Sequence, residues 1–114
     1  MNVTPVSEIR EGAPIVTLIN VFTVTPENQE RLIQVLDDAT EAVMRKLPGF
    51  ISANIHRSLD GTRVTNYAQW ESRRAFEAML ADPAARPHMQ AAAALASYEP
   101  HLYEVTVVHH AGDV

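Results

Sequence analysis

Hydrophobic positions along this chain follow two periods, one typical of β-strands and the other of amphipathic helices. Residues 15–24 form a nearly continuous apolar run rich in β-branched side chains, which predicts a buried first strand. Thr25-Pro26 favours the start of a helix after this strand, and Pro48-Gly49 favours its end. The predicted helix has one apolar stripe at steps of three and four, formed by Leu32, Leu36, Ala39, Val43 and Leu47.

The middle of the chain predicts a β-hairpin. Residues 50–57 and 63–70 have the composition of strands. Asp60-Gly61 lies between them and is a strong signal for the tight turn of a hairpin. The order from the start of the pattern is therefore strand, helix, strand and strand.

Two helices and one strand are predicted after the hairpin. Ser72 is a suitable N-cap for a short helix. The inward stripe of this helix would comprise Phe76, Met79 and Leu80. The alanine-rich segment 87–96 has high helix propensity, and a last strand is predicted from Leu102 to His110.

This order predicts an α+β fold of the ferredoxin-like type, βαββαβ, with a four-stranded antiparallel sheet and helices on one face. Residues 1–14 show no period and are expected to form a flexible lead-in to a single domain over residues 15–114. The sheet face without helices would expose Ile, Val and Tyr side chains. Because a bare apolar face usually marks an interface, we expect a homodimer that packs sheet to sheet as an α+β barrel.

Candidate chemistry is concentrated on the predicted third strand. Asn66 and Trp70 are four residues apart, so they point to the same side of a strand, whereas Tyr67 points to the other side. Trp combines a large apolar surface with one N–H donor, and Asn offers both a donor and an acceptor. Together they can stack on a flat aromatic molecule and bind its oxygen atoms. Burial of Trp70 in the core, with Asn66 paired to the backbone, is the simpler alternative.

Composition narrows the function classes. The net charge of -5 argues against a nucleic-acid partner, which requires clustered positive charge. No apolar run is long enough to span a membrane and the N-terminus lacks a secretory pattern, so a cytoplasmic protein is expected. The chain has no Cys, which excludes disulfides and thiolate chemistry. His109 and His110 would point to opposite faces of a strand, so we expect no metal, and without a Gly-rich loop we expect no nucleotide or flavin cofactor.

The segment Asn66-Tyr67-Ala68-Gln69-Trp70-Glu71-Ser72 resembles the third-strand motif of the antibiotic biosynthesis monooxygenase family. The turn at residues 47–50, the Asp60-Gly61 pair and the segment 86–90 fit the same family at matching places, over roughly residues 15–110. The resemblance implies a dimeric α+β barrel. It also implies oxidation of an electron-rich phenol, anthrone or quinol to a quinone by molecular oxygen, without metal or flavin.

The resemblance also implies roles for particular residues. Asn66 and Trp70 take the places of the family's cleft residues, and His88 the place of a His in quinol-oxidising relatives, where it would assist proton transfer. These three are the expected catalytic residues, and the alternative for His88 is a surface or helix-start His without a role. The residues expected to bind the substrate are Asn20, Phe22, Phe76, Met79 and Met89. Phe76 replaces a Tyr of the family pattern, and either Met89 or Gln90 stands where the family has an Arg, which implies a more apolar pocket.

Two other functions remain open. Haem-degrading enzymes share this fold and carry an Asn on the first strand and a Trp late in the third, which Asn20 and Trp70 match. However, Met79 and Leu80 stand where their axial His is expected, and without it haem iron would lack its proximal ligand. A non-catalytic ligand-binding or stress-response barrel is the other alternative, because one fold supports many functions.

Overall fold

In the computed structural model, which describes residues 4–112, four antiparallel strands form one sheet that packs against helices on one side. The elements in chain order are β1 (Val16–Thr23), α1 (Pro26–Ala42), a 3₁₀ turn (Met44–Lys46), β2 (Phe50–Arg57), β3 (Arg63–Trp70), α2 (Arg73–Ala81), α3 (Arg86–Leu95) and β4 (Ser97–Tyr103). The strands lie in the order β2-β3-β1-β4. The predicted α+β ferredoxin-like fold is therefore confirmed.

Helix α1 begins where the sequence predicts and ends earlier. Pro26 is at its first position and Glu27 places an acid near its positive end. The helix stops at Ala42 because Val43 leaves helical geometry, so the predicted end at residue 47 is wrong. Leu47 is extended, as expected of a residue that precedes proline, and both Val43 and Leu47 still pack against the core.

The predicted hairpin between β2 and β3 is confirmed, with residues 58–62 as its loop. The Ser58 amide donates to the Arg63 carbonyl at 3.0 Å. Asp60 Oδ1 accepts hydrogen bonds from the Thr62 amide at 3.0 Å and the Thr62 hydroxyl at 2.7 Å. Gln29 of α1 donates to the Ser58 carbonyl at 3.0 Å, which joins the hairpin to the helix layer.

Helix α2 begins as predicted, since Ser72 Oγ accepts from the Ala75 amide at 3.1 Å. Phe76 and Met79 are buried, whereas Leu80 is 47% exposed, so it is less buried than predicted. All three residues line the cavity between the sheet and the helices.

Strand β4 lies earlier in the chain than predicted. It covers Ser97–Tyr103 rather than residues 102–110, because α3 ends at Leu95 and Ala96 is already extended. Pro100 pairs with Asn20 of β1 and is tolerated because β4 is an edge strand. Residues 104–112 contain no helix or strand.

The outer face of the sheet, defined here as the side without helices, is partly covered by the chain's own N-terminal segment. Gln69 Nε2 donates to the Glu8 carbonyl at 2.6 Å, and Ser7 Oγ donates to Asn54 Oδ1 at 2.7 Å. The Gly12 amide donates to the carbonyl of Val105 at 3.0 Å. The outer face is thus more polar than the sequence pattern predicts.

The buried residues on the helix side form two clusters rather than one. One cluster contains Trp70, Phe76 and Met79, and the other contains Phe22 and Leu32. The residues that line the cavity described below come from both clusters, so the cavity extends between them. Among residues 4–112 no helix is long and apolar enough to cross a membrane.

Candidate active site

A cavity of about 530 Å³ lies between the sheet and the helices. This volume is within the usual range for sites that bind small molecules. Residues from all four strands and from α1, α2 and α3 line it. The strand residues that line it are Leu18, Asn20, Phe22, Phe50, Ala53, Asn66, Ala68, Trp70, Tyr98, Pro100, His101 and Leu102.

Two asparagines face each other across the floor of the cavity. Asn20 of β1 is the direct cross-strand partner of Asn66 of β3. The Oδ1 atoms of both are buried, and neither has a hydrogen-bond partner in the part of the chain that the structure describes. The neighbouring floor residues Leu18, Phe22 and Ala68 are apolar, so the two amides are a polar centre in a hydrophobic surface.

Trp70 lies at one end of the cavity floor and is only 2% exposed. The Trp70 and Phe50 rings pack edge to face, with 5.4 Å between their centroids and an interplanar angle of 88°. Phe76 packs on it at 6.3 Å. Trp70 Nε1 is buried and has no acceptor among residues 4–112. The indole is therefore held by aromatic packing while its N–H donor stays unpaired.

Unpaired buried polar atoms are concentrated in this cavity. Four such side-chain atoms occur within the described residues, and those of Asn20, Asn66 and Trp70 belong to cavity residues. The fourth atom is Thr17 Oγ1. Thr17 immediately precedes the cavity residue Leu18 on β1, so its side chain points to the outer face. Each unpaired buried group costs about 1–3 kcal/mol, so this cluster of two acceptor oxygens and one N–H donor favours a ligand with hydroxyl groups, which can both donate and accept.

Helices α2 and α3 bring the other candidate residues to the cavity. Phe76 and Met79 are buried on α2, and His88 and Met89 are half-buried near the start of α3. All eight residues singled out from the sequence therefore border one cavity: Asn20, Phe22, Asn66, Trp70, Phe76, Met79, His88 and Met89. Their chemical roles remain predictions.

The cavity also includes charged residues that the sequence did not single out. Arg73 and Glu77 lie one turn apart on α2, with 3.5 Å between Arg73 Nε and Glu77 Oε2, and both side chains are mostly exposed. Their spacing of four residues on a predicted helix was the available signal.

Two residues of β4 differ in how they meet the cavity. The Tyr98 ring lies 5.7 Å from the Phe22 ring and lines the cavity. His101 also borders the cavity, but its ring pairs with Glu99 at 3.6 Å and packs on Tyr103. His101 and its partners Glu99 and Tyr103 alternate with the cavity residues 98, 100 and 102 along β4. The His101 imidazole therefore lies on the outer face.

Fold and site together define a ferredoxin-like protein with a helix-roofed, largely apolar cavity that presents two amides and one indole N–H to a small molecule. The family model for antibiotic biosynthesis monooxygenases matches residues 15–95, and the chain belongs to that family.

Relatives in sequence and structure agree with this assignment. The chain is 44% identical over 98 residues to tetracenomycin-F1 monooxygenase of Streptomyces glaucescens, a match that covers 86% of the chain and 88% of that protein. It superposes on SnoaB, a cofactor-independent oxygenase from Streptomyces nogalater, with TM-score 0.71, 31% identity, and coverage of 84% and 97% of the two chains.

A third similar protein carries a ligand. It is a monooxygenase from the gene ActVA-Orf6 of Streptomyces coelicolor, determined in complex with nanaomycin D. The TM-score is 0.77 at 29% identity, with coverage of 86% of this chain and 93% of that one. The family predicted from the sequence is confirmed, and the chain is an enzyme of the monooxygenase class.

Proposed function

We propose that this enzyme oxidises an electron-rich polycyclic phenol, anthrone or quinol to a quinone with molecular oxygen and without a cofactor. Its 44% identical relative is named for tetracenomycin F1, and the similar SnoaB is described as cofactor-independent. The similar Streptomyces coelicolor enzyme binds nanaomycin D. These relatives support the substrate class, and the cavity supports the mechanism.

The presence of the unpaired Trp70 Nε1–H and the Asn66 amide at separate points on the floor of one cavity that is otherwise mainly apolar carries this proposal. An aromatic substrate fits the apolar walls, and its hydroxyl groups can donate to the Asn20 and Asn66 oxygens and accept from Trp70 Nε1–H. Buried donors of fixed orientation stabilise negative charge much more strongly than water-exposed donors do.

The reaction draws all its electrons from the substrate. Removal of a proton from a phenol or anthrone gives an anion, which transfers one electron to oxygen. With a phenol or anthrone, the two radicals combine to form a C–O bond, and the O–O bond then breaks. One oxygen atom becomes the new quinone carbonyl, and the other leaves as water with the two hydrogens that the substrate has lost. A quinol already carries both oxygen atoms, so its two hydrogens and two electrons pass to O2, which leaves as hydrogen peroxide. For an anthrone the balance is CH2 plus O2 to C=O plus H2O.

Three residues have distinct tasks in this mechanism. Trp70 Nε1–H donates a hydrogen bond to the substrate oxyanion, and the Asn66 amide binds a second oxygen. One such donor contributes on the order of 3 kcal/mol in a dry site. His88 lines the cavity from α3 and accepts the proton, because imidazole exchanges protons readily near neutral pH. The apolar walls limit the access of water to the anion.

We also propose that two copies associate through the outer face. Ile19, Val21 and Tyr67 are half-buried there, and Tyr103 is 46% exposed. A second sheet would cover these side chains. Light scattering should give twice the chain mass, and Tyr67→Arg should reduce it to one chain mass. A single-chain mass for the wild-type protein at micromolar concentration would contradict the dimer.

Isotope labelling tests the reaction directly. Protein stripped of metal and free of flavin is incubated with an anthrone under ¹⁸O₂, and the quinone is analysed by mass spectrometry. The proposal predicts one labelled oxygen atom per quinone and one equivalent of oxygen consumed. A quinone that takes its new oxygen from water, or a rate equal to that without protein, would contradict it.

A further inference from the structure

Strand β2 contains a β-bulge opposite Trp70. Phe50 pairs with Trp70 and Ser52 pairs with Gln69, so Ile51 is an extra residue without a partner on β3. Bulges of this kind are common beside active sites, where they change the direction of a side chain.

The bulge determines which β2 residues face the cavity. In a regular strand Phe50 and Ser52 would point to the same side, since side chains alternate with a period of two. Here Phe50 and Ala53 line the cavity, whereas Ser52 bonds to Gln69 on the outer face. The bulge thus directs the Phe50 ring onto Trp70.

On the outer face, the neighbour of Trp70 on β3 forms two hydrogen bonds, which are called the clamp below. The Gln69 side-chain amide is its centre, and Gln69 is 2% exposed. Gln69 Oε1 accepts from Ser52 Oγ at 2.6 Å, and Gln69 Nε2 donates to the Glu8 carbonyl at 2.6 Å. The buried amide thereby joins the bulged part of β2 to the N-terminal segment, directly behind Trp70.

We propose that Gln69 is a positioning residue, whose hydrogen bonds to Ser52 and Glu8 hold the bulge in register and thereby fix the Phe50 ring against the Trp70 indole. This inference rests on the function proposed above for Trp70.

The clamp matters because a shift in the pairing of β2 with β3 would change which β2 side chains face the cavity. If β2 lost the bulge while Ser52 and Ala53 kept their pairing, Ile51 would pair with Trp70 and face the cavity, and Phe50 would turn to the outer face. The Phe50 ring would no longer pack on the indole, and the indole N–H would lose its fixed direction. Misplacement of a catalytic group by about 1 Å can lower a rate by about 10²-fold.

Trp70 is the only tryptophan of the chain, so its fluorescence reports this environment alone. Gln69→Leu removes both hydrogen bonds of the clamp, and Ser52→Ala removes the one to the bulge. Ser7→Ala is the control, because it removes a bond of the N-terminal segment to Asn54 and leaves Gln69 paired.

Indole emission, near-ultraviolet circular dichroism and steady-state kinetics are measured on all variants. We expect Gln69→Leu and Ser52→Ala to shift the emission, to weaken the near-ultraviolet signal and to lower kcat at least about fivefold, within the range that misplacement causes. KM for the aromatic substrate should change less than kcat. Ser7→Ala should match the wild type.

Wild-type emission and kcat in folded Gln69→Leu would overturn the proposal, as would equal effects of Ser7→Ala. If Gln69→Leu does not fold, Ser52→Ala decides in the same way. Failure of the proposed function is distinguishable, since Trp70→Phe would then leave the rate unchanged. If Trp70→Phe lowers the rate and the clamp variants do not, only the positioning role fails.

Discussion

Asn66 and Trp70 lie on the same face of β3, four residues apart, so their Cα atoms are about 13 Å from each other. The amide is at the centre of the cavity floor and the indole at one end. Because of this separation, the two groups meet different parts of a bound molecule rather than one shared oxygen. They are two contact points for an extended, flat substrate.

This separation predicts that the two groups contribute independently. Asn66→Ala should lower kcat on the order of 10²-fold, because a buried partner of the substrate oxygen is lost. In the double variant Asn66→Ala/Trp70→Phe the two losses should multiply, as they do for groups that share no partner. Oxygen uptake measures both effects, with Thr65→Ala on the outer face as control. A double variant no slower than the worse single variant would show that the groups act as one unit.

The proposed proton acceptor can be tested by chemical rescue. His88→Ala should lower oxygen uptake, and added imidazole should restore part of it, since the cavity would then admit the missing base. His101→Ala is the matched control, because that imidazole pairs with Glu99 on the outer face. An unchanged rate in His88→Ala would remove His88 from the mechanism.

Gly49 is required where the chain enters β2. Its φ is +85°, and a Cβ there would overlap the Cβ of Ala75 in α2. Gly49→Ala should lower the free energy of unfolding by more than about 2 kcal/mol, from backbone strain together with steric overlap. Gly12→Ala is the control, since Gly12 has φ +68° but open space around it. Equal urea midpoints for the two variants would contradict the proposed overlap.

The hairpin loop predicts a loss of stability in acid. Hydrogen bonds from Ser58 and Thr62 lower the pKa of Asp60 to about 2 from its usual value near 3.8. The charged carboxylate therefore stabilises the fold above about pH 4, and this contribution disappears as the pH falls toward 2. Asp60→Asn should unfold at lower urea than the wild type at pH 7, with the difference vanishing near pH 2. A difference independent of pH would exclude the charge as its cause.

The sequence predicted the cavity residues of β3 better than the position of the edge strand β4. Period-two alternation was enough to place Asn66 and Trp70 on one face, because β3 is regular over its whole length. The same reasoning failed at β4, where it predicted a strand over residues 102–110 and the structure has one over Ser97–Tyr103. The edge position that makes Pro100 acceptable depends on the order of strands, which no local pattern contains.

The bulge beside Trp70 was also beyond local reasoning. Ile51 continues the β-rich composition of its segment, and its lack of a partner results from pairing with a distant part of the chain. The contacts of Gln69 with the main chain of Glu8 likewise span most of the sequence. Long-range pairings such as these decide how firmly the candidate catalytic residues are held.

The most direct test of the proposed function is oxygen uptake by Trp70→Phe, which keeps an aromatic ring and removes the only indole N–H. Metal-free wild type, Trp70→Phe and the outer-face control Tyr67→Phe are compared with the same anthrone under air. We predict that kcat falls on the order of 10²-fold in Trp70→Phe and stays unchanged in Tyr67→Phe. A folded Trp70→Phe enzyme that consumes oxygen at the wild-type rate would contradict the mechanism.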